Sequence, residues 1–144
     1  MSAIWHQTPT VEMLNAIMQR GTIMQQIGIE VTEVGEDFLR GTMPADHRTH
    51  QPYGVIHGGA NVVLAETLGS SAGYCCIDPE RFQVFGQEVS ATHIRSVSTG
   101  IVTGTSRPIH LGRTSQIWET RIEDERGKLT CISKLILAVV EKRA

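Results

Sequence analysis

The sequence predicts an α+β fold in which an antiparallel sheet curls around one long central helix. Three observations carry that expectation. Residues 58–75 form the only long helical stretch, and their apolar side chains fall on nearly every side of the wheel, so other structure must wrap it. Everything after Pro79 reads as strands separated by turn signals. The connections between those strands are of hairpin length, which implies antiparallel pairing.

In chain order, Thr10 can cap a short helix that carries Val11, Leu14 and Ile17 or Met18 on one face and ends near Gly21. A second turn, Thr22 to Ile27, stops at Gly28. Two strand-like runs, Ile29 to Val34 and Phe38 to Met43, are joined by the turn Gly35-Glu36-Asp37. Pro44 to Ile56 reads as a long polar loop broken by Pro52 and Gly54, and a loop of that length inside a compact domain points to function. The helix from Gly58 to about Cys75 follows, with Glu66 and Ser70 as exceptional polar positions one turn apart on one face. The later strands are Phe82 to Ser96, Ile101 to Ile109, Thr114 to Glu123 and Leu129 to Val140, expected as a four-stranded meander. The turn His110-Leu111-Gly112 separates the second from the third and places His110 beside a bound anion.

Composition bounds the function. A chain of 144 residues with 40% apolar and 19% charged side chains suits one core and excludes disorder. Thirteen basic against fifteen acidic residues give a net charge of −2, too balanced for a general nucleic-acid binder, so an anionic ligand must meet a local group of arginines. Cys75, Cys76 and Cys131 fit neither a disulfide framework nor a zinc spacing and read as small buried hydrophobes in a reducing compartment. Met1 to Thr10 lacks the pattern of a signal peptide, and no apolar run approaches the ~20 residues that span a bilayer. A cytoplasmic protein without membrane or nucleic-acid partners is expected.

The chemistry concentrates between Gln51 and Ser70. His57-Gly58-Gly59 opens the buried helix, where glycines let a ligand approach the backbone and the first N–H groups lack intrahelical partners. Such donors suit an oxyanion or a polarised carbonyl, although many Gly-Gly helix starts serve packing or capping alone. Glu66 is a carboxylate in apolar surroundings, which costs several kcal/mol unless it is paired or functional. Gly58 and Glu66 are eight residues apart, about 12 Å along the axis, so they cannot both touch one reacting carbon from a single chain. If both act, the site is shared across a two-fold dimer.

The residues that carry a resemblance are Met43-Pro44, Arg48-Thr49-His50-Gln51-Pro52-Tyr53-Gly54, His57-Gly58-Gly59-Ala60 and Leu64-Ala65-Glu66-Thr67-Leu68-Gly69-Ser70. Ala91-Thr92-His93, Arg95 and Pro108-Ile109-His110-Leu111-Gly112-Arg113 extend it. With these the chain resembles the hotdog-fold acyl-CoA thioesterases, in particular the subfamily of 1,4-dihydroxy-2-naphthoyl-CoA hydrolase and the enterobactin-synthesis proofreading thioesterase. The resemblance implies one hotdog domain over residues 1–144 that cleaves aromatic acyl-CoA thioesters. In it Glu66 acts as nucleophile or general base and the Gly58 N–H polarises the carbonyl. It implies that Gln51 and His57 of the partner chain hold the thioester, that Ser70 and His93 position water, and that Arg95, Ser96, His110, Gly112 and Arg113 contact coenzyme A. A homodimer with shared sites, assembled into a homotetramer, goes with it. No cofactor beyond the substrate's own coenzyme A is implied. Ser90 and Thr114-Ser115 depart from the subfamily pattern and bear on acyl preference and coenzyme contacts.

Other readings compete. The substrate thioester could arrive on an acyl carrier protein rather than on coenzyme A. A hotdog dehydratase also pairs a His with an acid on the central helix, and an acyl-CoA-binding protein would bind without turnover. His47, His50 and His57 make no complete metal set, since a fourth ligand is missing, and no metal is expected. Trp118, alternating with Ile117 and Glu119, reads as core or interface.

Overall fold

The computed structural model describes residues 3–143. Two short helices come first, α1 (Val11–Met18) and α2 (Ile23–Gln26). Both begin on a threonine cap: Thr10 accepts from the Met13 N–H and Thr22 from the Gln25 N–H. Strands β1 (Glu30–Val34) and β2 (Leu39–Pro44) precede the central helix α3 (Gly58–Cys75). Then come β3 (Phe82–His93), β4 (Ile101–Leu111), β5 (Ser115–Glu123) and β6 (Leu129–Glu141). The six strands form one antiparallel sheet in the order β1-β2-β4-β5-β6-β3.

That order corrects the expected meander. Of the four later strands, only β4, β5 and β6 are joined by hairpins; β3 pairs with β6, and β4 pairs with β2. The cause lies in the stretch after His93, which leaves the ladder instead of turning back. Ile94 and Arg95 donate to the Thr130 carbonyl, the Val97 carbonyl accepts from Ile56, and the Gly100 carbonyl accepts from Ala45. The chain thereby crosses from one edge of the sheet to its middle, and Arg95 and Ser96 lie on this crossover rather than in a strand. His110 is likewise in β4, opposite Ile117, because a bulge between Pro108 and His110 lets the ladder run on to Leu111.

The sheet folds over α3, which presents Asn61, Leu64, Ala65, Leu68, Gly69, Ala72 and Gly73 to it as one buried stripe. These meet Met43, Val102, Trp118, Ile122, Cys131, Leu135 and Leu137 in the core. Trp118 is fully buried, with its indole N–H donating to Gln116 Oε1 at 2.9 Å. The helix can approach closely because a side chain at Gly73 would meet Leu137 at 2.4 Å, and one at Gly104 would meet Leu68 at 3.1 Å. The wheel suggests a helix enclosed on every side. One chain encloses one side only: Val62, Val63, Glu66, Thr67, Ser70 and Ser71 are half-buried, and Tyr74 is exposed.

The two sheet edges differ. Along β1, the Asn15 side chain of α1 both donates to and accepts from the Val31 backbone, at 2.9 and 2.8 Å, and covers the edge. β3 is a twelve-residue edge strand, exposed at Gln83, Phe85, Gly86, Gln87 and Glu88. A long open edge is a template for pairing with a second strand. Cys75 and Cys131 are buried and Cys76 half-buried, all as free thiols; burial pushes Cys75 up to about 11 and Cys76 up to about 12. Among the described residues no helix is long and apolar enough to cross a membrane.

Candidate active site

The loop from Ala45 to His57 delivers the chain to the start of α3. Its first turn is built on Asp46, which accepts from the Arg48 backbone N–H at 2.9 Å and from the Arg48 guanidinium at 2.7 Å. The guanidinium contact first, then the backbone N–H, hold the Asp46 carboxyl down at about 2. Thr49 is buried with its hydroxyl donating to the Pro44 carbonyl, and His50 bridges to Ile56. Gly54, at φ +76°, closes the excursion between Gln51 and Val55.

His57 is the N-cap of α3, its Nδ1 accepting from the Gly59 N–H at 2.7 Å. Gly59 is therefore satisfied, whereas the Gly58 N–H makes no hydrogen bond among the described residues. It opens onto a cavity of about 270 Å³ lined by Gln51, Gly58, Asn61, His93, Arg95 and Ser96, with Val55, Ile56 and Val97 as apolar wall. The His93 ring lies across the Gly58 Cα so closely that a β-carbon there would stand 2.6 Å from Nε2. Here the dipole end of α3, an unpartnered N–H, an imidazole and an amide converge, an arrangement suited to a carbonyl oxygen that gains charge.

Glu66 and Ser70 lie elsewhere. They line a separate open depression of about 350 Å³ with Ile23, Met24, Val63 and Thr67. No ion pair or side-chain hydrogen bond among the described residues engages the Glu66 carboxylate, which is half-buried rather than sealed in apolar surroundings. It rests over Gly86 of β3, where a β-carbon would come within 2.8 Å of Oε1. Gly86 adjoins the β-bulge at Gln87. The depression continues past Met24, Ser70 and Ser71 into an apolar groove of about 410 Å³ walled by Leu14, Ile17, Met18, Tyr74 and Val84.

The candidate coenzyme contacts also divide. Arg95 and Ser96 edge the cavity at the start of α3 and, with Val97, join it to a polar basin of about 470 Å³ that contains Arg126 and Lys128. Asp124 in that basin accepts from the Arg126 and Lys128 backbone N–H groups, and Glu125 from that of Ile101. The Lys128 backbone N–H foremost, with the charges of Arg95 and Lys128 adding to it, lowers the Asp124 carboxyl. Among the described residues none of Arg95, Arg126 and Lys128 forms a close ion pair. Gly112 and Arg113 sit in the β4–β5 turn, and His110 lies near the end of β4, level with Glu88 of β3 through the register of β5 and β6. His110 folds over Gly112, whose β-carbon would meet Nε2 at 2.4 Å. A single chain thus holds two half-sites: Gln51, Gly58, His93, Arg95 and Ser96 together, and Glu66 with Ser70 apart from them.

Sequence reasoning did not single out Asn61, Gly86, Arg126 or Lys128. Asn61 could have been found as the one polar residue in step with Leu64, Ala65 and Leu68 on the buried stripe. Gly86 carries no signal until the bulge brings it under Glu66. Among the described residues no three His, Cys, Asp or Glu side chains converge as metal ligands.

Comparison with known proteins adds the following. The family model for the thioesterase superfamily matches residues 53–131. The chain is 51% identical over 137 residues to the proofreading thioesterase EntH of Cronobacter turicensis, covering 95% of this chain and 98% of that protein. It is 46% identical over 137 residues to the 1,4-dihydroxy-2-naphthoyl-CoA hydrolase of Escherichia coli, covering 95% and 99%. Among solved structures, a mutant of thioesterase PA1618 from Pseudomonas aeruginosa superposes with a TM-score of 0.94 at 45% identity, over 97% of this chain and 100% of that one.

Proposed function

The chain belongs to the thioesterase superfamily and is a thioester hydrolase, and from that premise we propose that it hydrolyses aromatic acyl-CoA thioesters at two sites shared across a two-fold dimer. One observation carries the reading. The unpartnered Gly58 N–H and the Glu66 carboxylate belong to the same helix, eight residues and about 12 Å apart, and open into different depressions. Antiparallel apposition of two such helices brings the start of one beside the middle of the other. The open edge of β3 supports a dimer of that kind, since pairing it with a partner's β3 continues the sheet and covers the half-buried face of α3.

In this arrangement the thioester carbonyl oxygen accepts from Gly58 N–H, with Gln51 beside it. Glu66 of the partner subunit faces the carbonyl carbon as nucleophile or as base for water, and Ser70, one turn on, holds that water. The acyl group occupies the groove leading from Ser70 to Tyr74, whose apolar walls suit a flat ring. The pantetheine arm leaves through the cavity past Arg95 and Ser96, and Arg95, Arg126 and Lys128 offer charge to the coenzyme phosphates.

The test is a thioester panel followed by thiol release: benzoyl-, naphthoyl-, phenylacetyl- and straight-chain acyl-CoA, each also presented on an acyl carrier protein. The expected result is turnover with free acid and thiol as products and kcat/KM highest for an aromatic acyl-CoA. Faster turnover of the carrier-protein thioesters, or an enoyl product without thiol release, overturns the reading.

A further inference from the structure

We propose that Asn61 is a positioning residue for His93: its side-chain amide donates to Nδ1 and so keeps the ring proton on Nε2, at the Gly58 end of α3. The consequence for turnover rests on the thioesterase reading above; the contact itself does not. Asn61 is 7% exposed and stands on the sheet-facing stripe of α3, one turn beyond Gly58. Its Nδ2 lies 3.4 Å from His93 Nδ1, while its Oδ1 is buried with no partner among the described residues. A neutral imidazole that accepts at Nδ1 carries its proton on Nε2. Nε2 is also the ring atom nearest to where a Gly58 β-carbon would stand, at 2.6 Å. The bond therefore sets a second donor, His93 Nε2–H, beside the Gly58 N–H in one cavity.

The opposite orientation of the amide is worse. It would set two unpaired N–H donors at the buried position where a single carbonyl oxygen now stands. Packing alone does not call for an amide here either, since an apolar isostere would fill the same volume without burying an unsatisfied oxygen. His93 is the last residue of β3, paired with Cys131 where the chain leaves the ladder.

The tautomer is measured directly by long-range proton–nitrogen correlation on the full chain with nitrogen-labelled histidine, in mildly alkaline buffer where imidazoles are neutral. His93 is assigned by its loss in His93→Gln. The wild-type ring should show its proton on Nε2; a proton on Nδ1 overturns the proposal. Asn61→Asp keeps the shape but only accepts, so it should move the proton to Nδ1 or hold the ring doubly protonated. Asn61→Leu should leave Nδ1 without a donor and the ring in mixed tautomers, and it serves if the Asp variant does not fold. Each variant should lose about tenfold or more in kcat with KM within about twofold, the pattern of an interaction made in the transition state. An unchanged tautomer in a folded variant, or a changed tautomer with unchanged kcat, refutes the positioning role. Absence of thioester hydrolysis by the wild type sinks the functional reading instead, and the wild-type spectrum still decides the contact.

Discussion

The Glu66 carboxylate lies over the Cα of Gly86, so close that a single methyl group on that glycine would stand 2.8 Å from Oε1. The contact joins the exposed face of the central helix to the edge strand of the sheet. It gives the carboxylate a place that, among the described residues, neither an ion pair nor a hydrogen bond supplies.

Gly86→Ala is expected to fold normally, because the atom it displaces is the free end of a flexible side chain and β3 is exposed there. Displacing a reacting group by about 1 Å costs up to ~100-fold, so kcat should fall ten- to a hundredfold while the melting temperature stays near that of wild type. Stability unchanged with activity also unchanged would mean that the carboxylate finds its working position elsewhere.

Glu66→Gln keeps the volume and removes both nucleophilicity and basicity. A loss of turnover on the order of a thousandfold is expected, with substrate affinity largely kept. Since Glu66 makes no ion pair among the described residues, its thermal unfolding should not shift. A structural role would show the reverse pattern in the same two assays.

Gly73→Ala tests packing rather than chemistry. Alanine favours a helix interior over glycine by about 1 kcal/mol. Against that, the new methyl would meet Leu137 at 2.4 Å and Gln116 Oε1 at 2.6 Å in a core that has no room to yield. Overpacking of this kind costs about 1–3 kcal/mol, so the variant should melt lower despite its better propensity. Urea unfolding measures the balance.

These variants also show which parts of the molecule the amino-acid order makes legible. The bounds of α3, the cap Thr10, the turn from Thr22 to Ile27 and the buried Trp118 follow from local patterns. The pairing of β3 with β6 does not, since it depends on hydrogen bonds from Ile94 and Arg95 to the distant Thr130. The strand pattern of Phe82 to Ser96 looks the same whether the chain turns back or crosses over. Likewise, the list of apolar residues on α3 hides a division between a buried stripe and a face left half-open. Glu66 and Gly58 stand out by residue type and spacing. Asn61 and Gly86 acquire meaning only from what tertiary contact sets against them.

The acid side of the stability profile should carry the mark of Asp46. Its carboxyl is lowered from 3.8 to about 2, first by the Arg48 guanidinium and then by the Arg48 backbone N–H. A lowered carboxyl stabilises the fold fully above 3.8 and loses that contribution as the pH falls toward about 2. Asp46→Asn should therefore be less stable than wild type at neutral pH, and the two should converge through that window. Urea midpoints measured across it provide the check; a gap that stays constant into strong acid would assign the loss to something other than ionisation.

The division of the site between chains can be tested by mixing two damaged proteins. Glu66→Gln removes the carboxylate half, and Gln51→Ala removes a side chain from the Gly58 half. His57→Ala is a poorer choice because His57 caps α3 through the Gly59 N–H, and losing a cap costs about 1 kcal/mol of stability. Truncating Gln51 gives up the Tyr53 N–H bond to its Oε1, but the turn keeps its backbone bonds to Val55 and Gly54 in an exposed loop, so that half-site should stay folded. Each homodimer would carry two damaged sites. In a hybrid dimer one site collects both changes, while the other receives an intact half from each chain. Random re-pairing of equal amounts makes about half of the dimers hybrids, each with one good site of two, so activity should recover to about a quarter of wild type. Verified hybrids no more active than either parent would mean that Glu66 and Gln51 serve the same chain's site. The helix forbids that for Gly58 and Glu66 at one carbon, because eight residues along α3 open a gap of about 12 Å that no side-chain rotamer closes.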